Sequence, residues 1–261
     1  MRILFLGDIV GKPGYTAVLQ NAESLRAELR LDALVANAEN ASDGSGIMPR
    51  QFQRLTGSGV DAITLGDHIY RRKEIVETLE TSDRIVKPAN YPRDATGRQW
   101  ILVKTSPKQS LAVVSLLGRV YMRPVDCPFD AIDRVLEEIG DTTNQILVDV
   151  HAEATSDKQT LARYLDGKVT AVLGTHTHVP TADARVLPGG TAFQCDVGMC
   201  GPYESIIGRD IQRVLRTTRT FEPCHFYVAT GDVRLCGALV ESDDSGRAVS
   251  IERFEKAIPA A

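Results

Sequence analysis

Acidic, amide and imidazole side chains recur in this sequence immediately after short apolar runs. Asp8 follows the run Arg2–Leu6, and the pair Glu39 and Asn40 follows Ala33–Ala36. The full group is Asp8, Glu39, Asn40, Asp67, His68, His151, His176 and His178, and it includes four of the five histidines of the chain. Because carboxylate, amide and imidazole groups are ligands that Mn, Fe, Zn and Co accept, the pattern indicates a metal site.

The number of these side chains bears on the kind of metal site. They are too many for one structural zinc ion, which is almost always four-coordinate. They suit two ions of higher coordination number that share a bridging carboxylate. Two ions about 3.5–4 Å apart can clamp a phosphoryl group during in-line displacement, with a bridging hydroxide as the nucleophile. Most of these residues, taken alone, are explained as well by a helix cap, a turn or a structural histidine, so the hypothesis depends on their joint placement.

The segment Gly174–His178 carries the strongest local signal. Its two histidines alternate with threonine, in the order Thr175, His176, Thr177, His178. If the backbone is extended here, alternate side chains point to one side and both imidazoles face a single pocket.

Apolar periodicity predicts the elements that must position these groups. The runs before the polar positions have the length and composition of buried strands. They cover Arg2–Leu6, Ala33–Ala36, Ala62–Leu65, Ile146–Val150 and Val169–Leu173. Segments with apolar residues at helical spacing lie between and after them, as over 14–30 and 129–139. Open α/β sheets bind ligands beyond the carboxyl ends of their strands, where this pattern places the polar residues.

The second half of the sequence changes character. Trp100–Lys104 and Leu111–Leu117 are predicted to pair around a turn, and Ser156 is predicted to cap a helix that runs to Asp166. The C-terminal part is predicted to be rich in strands, over His225–Ala229, Arg234–Val240 and Ala248–Phe254. With βα units first and antiparallel strands later, the pattern predicts a single α/β domain over residues 1–261.

Composition limits the classes of protein to which the chain can belong. Its 261 residues are 43% hydrophobic and 25% charged, which is ordinary for a globular protein and argues against disorder. The net charge of −4 gives no basis for extended nucleic-acid binding. No apolar run reaches the length of a membrane helix, and five widely spaced cysteines without a Cys-x-x-Cys pair predict reduced thiols. We therefore expect a cytoplasmic protein without membrane contact, and self-association into a homo-oligomer stays open.

Five segments carry the polar residues described above. They are Gly7–Asp8, Asn37–Asn40, Gly66–His68, Asp149–Glu153 and Gly174–His178. Together they resemble the calcineurin-like metallophosphoesterases, and most closely their YmdB-type branch of 2′,3′-cyclic-nucleotide 2′-phosphodiesterases. The likeness extends over nearly the whole chain. It implies an α/β fold, a four-layer α-β-β-α sandwich in which two mixed sheets are flanked by helices, with a dinuclear site at the strand ends.

The resemblance also implies a role for each residue. One divalent ion would be held by Asp8, Asn40 and His178. The other would be held by Asp67, His151 and His176, with Glu39 as the bridge. His68 would bind no metal and would act on the substrate, as general acid for the leaving oxygen or by stabilising charge in the transition state. Fe or Mn are the expected ions, with Zn as an alternative.

Two positions depart from the wider superfamily. Its members open with Asp-x-His, whereas Ile9 and Val10 follow Asp8 here, and Asn40 is expected to replace the missing imidazole. Asp67 stands where an Asn usually precedes the catalytic histidine. The extra carboxylate is expected to tighten the second ion and to reduce its Lewis acidity.

Other residues near these motifs carry weaker signals. Asn90 and Tyr91 lie in a proline-bounded loop that could contact a phosphate or a base, although a rigid turn explains them at least as well. Asp196 is predicted to support the histidine loop. Glu153 is a candidate for orienting an imidazole from behind, with helix-start polarity as the alternative.

Three functions fit this sequence. The first is a metal-dependent phosphodiesterase that acts on small cyclic nucleotides, with 2′,3′-cyclic nucleotides as the expected substrates. The second keeps the fold and the metals but acts on a phosphomonoester or a phosphoprotein, because the loops that select the substrate discriminate poorly at the level of sequence. The third is a nucleotide-sensing regulatory protein of low activity, which Asp67 favours.

Overall fold

The structure is a computed structural model that describes residues 1–106 and 109–259. Its strands are β1 (Arg2–Leu6), β2 (Asp8–Ile9), β3 (Ala33–Asn37), β4 (Ala62–Thr64), β5 (Ile85–Val86), β6 (Trp100–Ser106), β7 (Gln109–Leu117), β8 (Ile146–His151), β9 (Ala171–Thr175), β10 (Arg185–Val186), β11 (Ala192–Gln194), β12 (Met199–Glu204), β13 (Gly231–Ser242) and β14 (Ala248–Ala257). Its α-helices are α1 (Gly11–Glu28), α2 (Pro49–Gly57), α3 (Val76–Thr81), α4 (Pro128–Ile139), α5 (Thr155–Leu165) and α6 (Ile211–Thr220). Short 3₁₀ turns cover Lys73–Ile75 and Gly140–Thr142.

Within the described residues the strands form two sheets. The first sheet has the order β2-β12-β13-β1-β3-β4-β5, and β14 pairs with β13. In it β1, β3, β4 and β5 are parallel, whereas β13 runs antiparallel to β1. The second sheet has the order β10-β11-β9-β8-β7-β6, parallel from β11 to β7 and antiparallel at both edges. Both sheets are therefore mixed.

Alternate residues of the central strands face different layers, which explains why those strands are apolar throughout. In β1, Leu4 and Leu6 pack with the helices α1, α2 and α3. Ile3 and Phe5 of the same strand pack with the second sheet. A strand buried on both faces is apolar along its length, so its sequence does not alternate between apolar and polar residues. The helices α4 and α5 cover the outer face of the second sheet, and the predicted four-layer sandwich is confirmed.

Two local predictions are wrong. His225–Ala229 forms no strand, although all five residues lie in the described range. The Arg213 and Arg209 side chains donate to the carbonyls of residues 225 and 226, which a neighbouring strand would otherwise need. Ser156 lies inside α5 instead of capping it, because the helix begins at Thr155 and the cap position makes no side-chain hydrogen bond.

None of the helices in the described ranges combines the length and the apolar content that a membrane span requires. The longest of them, α1, has 18 residues and packs only one face against the first sheet.

Candidate metal centre

Polar side chains from both sheets meet where the parallel strands end. In the first sheet β1, β3 and β4 lead to Asp8, Asn40 and His68. In the second sheet β8 ends at His151 and β9 leads to His176. Residues far apart in the chain thereby become neighbours, since the His176 amide donates to an Asp8 carboxylate oxygen at 3.0 Å.

Asp67, His151 and His176, which we call the second triad, converge on one point. His151 Nε2 is 3.2 Å from Asp67 Oδ1 and 3.0 Å from His176 Nδ1. Glu39 joins this cluster, with its Oε1 3.0 Å from His151 Nε2. The four donor atoms lie within 4.8 Å of one another, so this cluster could hold a metal ion.

Asp8, Asn40 and His178, which we call the first triad, lie beside the second. Asn40 Nδ2 is 3.4 Å from Asp8 Oδ1 and 3.3 Å from His178 Nε2. His178 Nε2 is 3.8 Å from Asp8 Oδ1. The amide thus presents its nitrogen to the other two donors, and a half-turn about its terminal torsion would present the oxygen, which is the atom that can bind a cation.

Glu39 lies between the two triads. Its Oε1 approaches His151 of the second triad, and Asn40 Nδ2 of the first triad donates to the same oxygen at 3.5 Å. Its Oε2 accepts from the His68 amide at 3.0 Å. The Glu39 side chain is fully buried in this place. A carboxylate that touches donors of both triads has the location that a bridging ligand needs.

A chain of hydrogen bonds behind His151 orients its ring. Nδ1 lies 2.8 Å from Thr175 Oγ1, and that hydroxyl donates to Asp149 Oδ1 at 2.7 Å. Since the Thr175 proton is used on Asp149, His151 Nδ1 is the donor to Thr175, and the neutral ring would present the lone pair of Nε2 to a metal ion in the cluster. Thr64 and Asn37 donate to the other Asp149 oxygen at 2.6 and 3.0 Å. Burial raises the pKa of Asp149 to about 6.

The loop after β9 does not have the extended backbone that its sequence predicts. His176 and His178 have positive φ angles of 95° and 66°. Residues with a side chain rarely adopt this conformation. The two imidazoles therefore serve different triads. His178 Nδ1 donates to the Ile207 carbonyl at 3.0 Å, which leaves Nε2 for the first triad.

Thr177, between these two histidines, is held by a buried carboxylate. Its amide and its hydroxyl both donate to Asp196 Oδ2, at 3.1 and 2.6 Å. Lys158 Nζ donates to the same oxygen at 2.8 Å and neutralises the buried charge. Unusual backbone of this kind persists only where the surroundings hold it in place. The prediction that Asp196 supports the histidine loop is confirmed. Nearer to solvent, Glu153 Oε2 lies 3.3 Å from His176 Nε2.

His68 lies at the mouth of the centre and contacts both triads. Its Nδ1 donates to Asn40 Oδ1 at 2.7 Å and lies 3.4 Å from Glu39 Oε1. Its Nε2 is 3.7 Å from Asp67 Oδ2. The side chain is 25% exposed, so a molecule from solvent can reach the ring.

Three carboxylates lie close together in this centre. Asp8 and Glu39 have no exposed surface, and the Asp67 side chain is 23% exposed. Burial opposes ionisation of Asp8, but the charges of His178 and His151 outweigh it and lower the Asp8 pKa. Burial also opposes ionisation of Asp67, and a hydrogen bond with His151 holds its pKa well below the ordinary range. Carboxylates kept ionised in such a place need positive charge beside them.

The pKa values of the two imidazoles of the second triad are shifted in opposite directions. Burial disfavours protonation of His151, but the Glu39 carboxylate outweighs it and raises the His151 pKa well above its ordinary value. Burial and the nearby charge of His151 lower the pKa of His176. The carboxylates around His151 therefore favour a positive charge at this point.

Gly66 allows His151 to approach the first sheet. A Cβ atom at this position would overlap with the His151 ring. The glycine before Asp67 therefore reflects the packing between the two sheets, in addition to the chemistry of the residues that follow it.

The two loop residues predicted to contact substrate are both buried. The Asn90 amide binds backbone groups of Leu117 and Asp126, at 2.8 to 3.1 Å. Tyr91 packs edge-on against Tyr70, with ring centroids 6.1 Å apart. The hydrogen bonds of Asn90 thus fix the neighbouring loops. The Tyr91 hydroxyl is buried and has no well-aligned hydrogen-bond partner among the described residues.

Sequence reasoning missed the polar residues that support His151. Asn37 and Thr64 end β3 and β4, and Asp149 interrupts the apolar run of β8. A signal was present, because a polar residue in a strand that is buried on both faces must find a partner.

The chemistry of the donor set fits divalent transition-metal ions. The two triads and Glu39 offer three carboxylates, one amide and three imidazoles. Mixed imidazole and oxygen ligands suit Fe, Mn and Zn, whereas Mg and Ca prefer oxygen alone.

Comparison with known proteins shows which proteins the chain is similar to. The sequence model of the family described as YmdB-like protein matches residues 4–254. The chain is 42% identical over 255 residues to a Bacillus subtilis (strain 168) protein named 2′,3′-cyclic-nucleotide 2′-phosphodiesterase. That alignment covers 97% of this chain and 96% of the relative.

Two solved structures are similar over almost the full length. A hypothetical protein from Thermus thermophilus has a TM-score of 0.93 at 42% identity, covering 99% of this chain and 100% of the other. A Mycoplasma pneumoniae protein described as a novel phosphatase has a TM-score of 0.91 at 30% identity, covering 98% and 93%. The two-sheet architecture is thus shared with a phosphatase of known structure.

Proposed function

The chain belongs to the YmdB-like protein family, and on this premise we propose that it is a metal-dependent phosphodiesterase that hydrolyses small cyclic nucleotides, with 2′,3′-cyclic nucleotides as its substrates. One observation carries the proposal. Three carboxylates and three imidazoles from five strand ends converge at the edge of the two sheets, within hydrogen-bond distance of their neighbours. The name of the B. subtilis relative supports the substrate class.

The cofactor in this proposal is a pair of divalent ions, Fe or Mn, with Zn as an alternative. The first triad would hold one ion and the second triad the other, with Glu39 between them. When bound, the ions would supply Lewis acidity, which neutralises charge on the phosphoryl oxygens and makes a nucleophile of water. The short distances inside the second triad and the contact of Glu39 with both triads support this assignment.

His68 acts on the departing ribose oxygen in this proposal. Its Nδ1 lies 3.4 Å from Glu39 Oε1, so Nε2 is the atom that can face the substrate. A proton delivered from Nε2 to the ribose oxygen neutralises that oxygen as its bond to phosphorus breaks. The contacts of the His68 ring and of its backbone amide with Glu39 hold the ring in place for this transfer.

Replacing His68 by alanine tests this role directly. His68→Ala is expected to lower kcat by roughly 10²–10⁴-fold, the contribution of a general acid, while the metal content stays near that of the wild type. His225→Ala is the control, because His225 lies outside the centre. Loss of metal from His68→Ala would instead make His68 a ligand.

Metal removal tests the proposal as a whole. Protein treated with a chelator is expected to lose hydrolysis of a nucleoside 2′,3′-cyclic phosphate, and Mn or Fe is expected to restore it with two ions bound per chain. Full turnover by the metal-free protein would contradict the mechanism. Negligible hydrolysis with every metal, together with measurable nucleotide affinity, would identify a sensor in place of an enzyme.

The second candidate function is hydrolysis of a phosphomonoester at the same centre. The Mycoplasma pneumoniae structure, described as a novel phosphatase, favours it. Rates measured side by side on a nucleoside 2′,3′-cyclic phosphate and on a generic phosphomonoester decide between the two. A faster reaction with the monoester would replace the phosphodiesterase proposal.

A further inference from the structure

The segment Gly118–Asp126, which we call the rim loop, follows β7 and begins beside the metal centre. Leu117, the last residue of β7, pairs with His151 in the second sheet. The Gly118 amide then donates to the His151 carbonyl at 2.9 Å. The rim loop therefore starts against a residue of the second triad and borders the centre.

Two side chains hold the rim loop in one conformation. Asn90 spans its ends, because its amide nitrogen donates to the carbonyls of Leu117 and Asp126 at 2.8 and 3.1 Å. Asp157 Oδ2 accepts from the backbone amides of the two residues after Gly118, at 2.8 and 3.0 Å. A loop that is fixed before a ligand arrives loses less conformational freedom on binding.

The rim loop exposes an aromatic ring. Tyr121 is 90% exposed, and its φ of 60° lies in the left-handed region. A bulky residue in this backbone conformation costs free energy, and a ring left in water recovers none of that cost by burial. A flat ring displayed on a fixed loop can stack on a nucleobase, because every base offers a π-face.

Two polar groups lie in or beside the rim loop. Arg123 is exposed, and its positive charge acts on the Tyr91 hydroxyl. The charges of Asp67 and Glu39 also act on this hydroxyl, so it is close to the carboxylates as well. Tyr91 is only 4% exposed, and its hydroxyl has no well-aligned hydrogen-bond partner in residues 1–106 and 109–259. Buried polar groups normally have such a partner.

We propose that the rim loop forms a nucleotide subsite at the metal centre, in which Tyr121 stacks on the base while Arg123 and Tyr91 hold a non-bridging phosphate oxygen. This inference rests on the proposed phosphodiesterase function. The guanidinium supplies charge-assisted hydrogen bonds to the phosphate, and the Tyr91 hydroxyl gains the partner that it lacks. The stacking ring favours a nucleotide over a phosphoester that has no base.

The test of stacking compares two substrates of the metal-loaded protein. One is a nucleoside 2′,3′-cyclic phosphate, and the other is a methyl riboside 2,3-cyclic phosphate, which lacks the base. Tyr121→Ala is expected to lower the ratio of the two kcat/KM values roughly 5- to 50-fold, mainly through the KM of the nucleotide.

Phe221→Ala is the matched control for Tyr121→Ala. Phe221 is also an aromatic residue, is 91% exposed and has a φ of 58°, but it follows α6 and lies outside the rim loop. The substrate ratio of Phe221→Ala is expected to equal that of the wild type. If Tyr121→Ala gives the same ratio as Phe221→Ala, base stacking is overturned.

The phosphate contact has its own variants. Arg123→Gln is expected to lower kcat/KM roughly 10- to 100-fold for both substrates, the effect of losing a hydrogen bond to a charged group. Arg123→Lys should recover part of this loss, and Tyr91→Phe should show a smaller loss of the same kind. Arg119→Gln is the control, because Arg119 is exposed on the same loop. Equal effects at Arg119 and Arg123 would overturn the phosphate contact.

A binding measurement tests the subsite independently of the proposed function. Calorimetry with a nucleoside monophosphate and metal-loaded protein reports the subsite without turnover. If the wild type hydrolyses neither substrate but binds this nucleotide through Tyr121, the proposed function fails and the subsite stands. If the wild type hydrolyses the nucleotide and no variant changes the ratio or the affinity, the subsite fails and the function stands.

Metal content and melting temperature are checked for every variant, and Tyr121→Leu replaces Tyr121→Ala if the latter does not fold.

Discussion

The first and second triads are built from the same kinds of strand end, but they are prepared for a metal ion to different degrees. In the second triad the donor atoms already converge, and side chains behind His151 set its tautomer. In the first triad the Asn40 nitrogen faces the other donors, so its amide must turn before the oxygen can bind an ion. We therefore expect the second triad to bind its ion more tightly and the first triad to exchange its ion more readily.

Burial explains why the two triads are supported differently. His151 is fully buried, so both of its ring nitrogens need partners inside the protein. The groups that meet this need, Thr175 and Asp149, also fix the direction of the ring nitrogen that faces the cluster. His178 lies nearer to solvent, with 11% of its side chain exposed, and a backbone carbonyl orients it. In this fold the demand for hydrogen bonds in the core also produces the better-prepared half of the centre.

The largest effect is expected from Glu39, because its replacement should weaken metal binding at both triads. Because Glu39 touches donors of both, Glu39→Gln is expected to weaken both ions and to lower kcat/KM by roughly 10³-fold, since Lewis acidity is worth several kcal/mol. Metal analysis and steady-state kinetics check this. Glu153→Gln is the control, because Glu153 approaches the centre from the solvent side, through His176 Nε2. If Glu39→Gln keeps two ions, Glu39 does not bridge the triads.

The sequence predicts that these side chains come together because their signals are local. Asp8 and His151 can be placed from the apolar runs just before them, since a strand and its end are contiguous in the chain. Parallel pairing then brings the strand ends together. The backbone at His176 and His178 could not be predicted in this way. It depends on Asp196 and Lys158, whose contacts come from other parts of the chain.

The same distinction explains the error at His225–Ala229. These residues favour a strand by type, but arginine side chains of the preceding segment take carbonyls that a strand ladder requires. Propensity describes the chain by itself, whereas this competition arises only when Arg209 and Arg213 are folded against it. Local signals predicted the alternating strands and helices, whereas the two-sheet sandwich was implied by the family resemblance.

A smaller effect is expected from breaking the hydrogen bonds that orient His151 of the second triad. Thr175→Val breaks the link between His151 and Asp149 and is expected to lower the affinity of the more tightly bound ion roughly 10- to 100-fold. Thr64→Val is a matched control, because Thr64 also donates to Asp149 but does not touch His151. Metal titration of both variants tests the contrast. Equal losses of affinity in the two variants would mean that the Asp149 network stabilises the fold without specifically strengthening binding of the ion.

The smallest of these effects concerns Asp67, the carboxylate that departs from the usual Asn of the superfamily. Asp67→Asn is expected to lower ion affinity at the second triad roughly tenfold, since a neutral ligand replaces a charged one. With saturating metal, kcat is expected to rise, because a less neutralised ion polarises phosphate more strongly. Asp130→Asn is the control, because Asp130 is exposed on α4 and belongs to neither triad. If neither affinity nor kcat changes, Asp67 only steadies His151 through their 3.2 Å contact, and the triads differ in support alone.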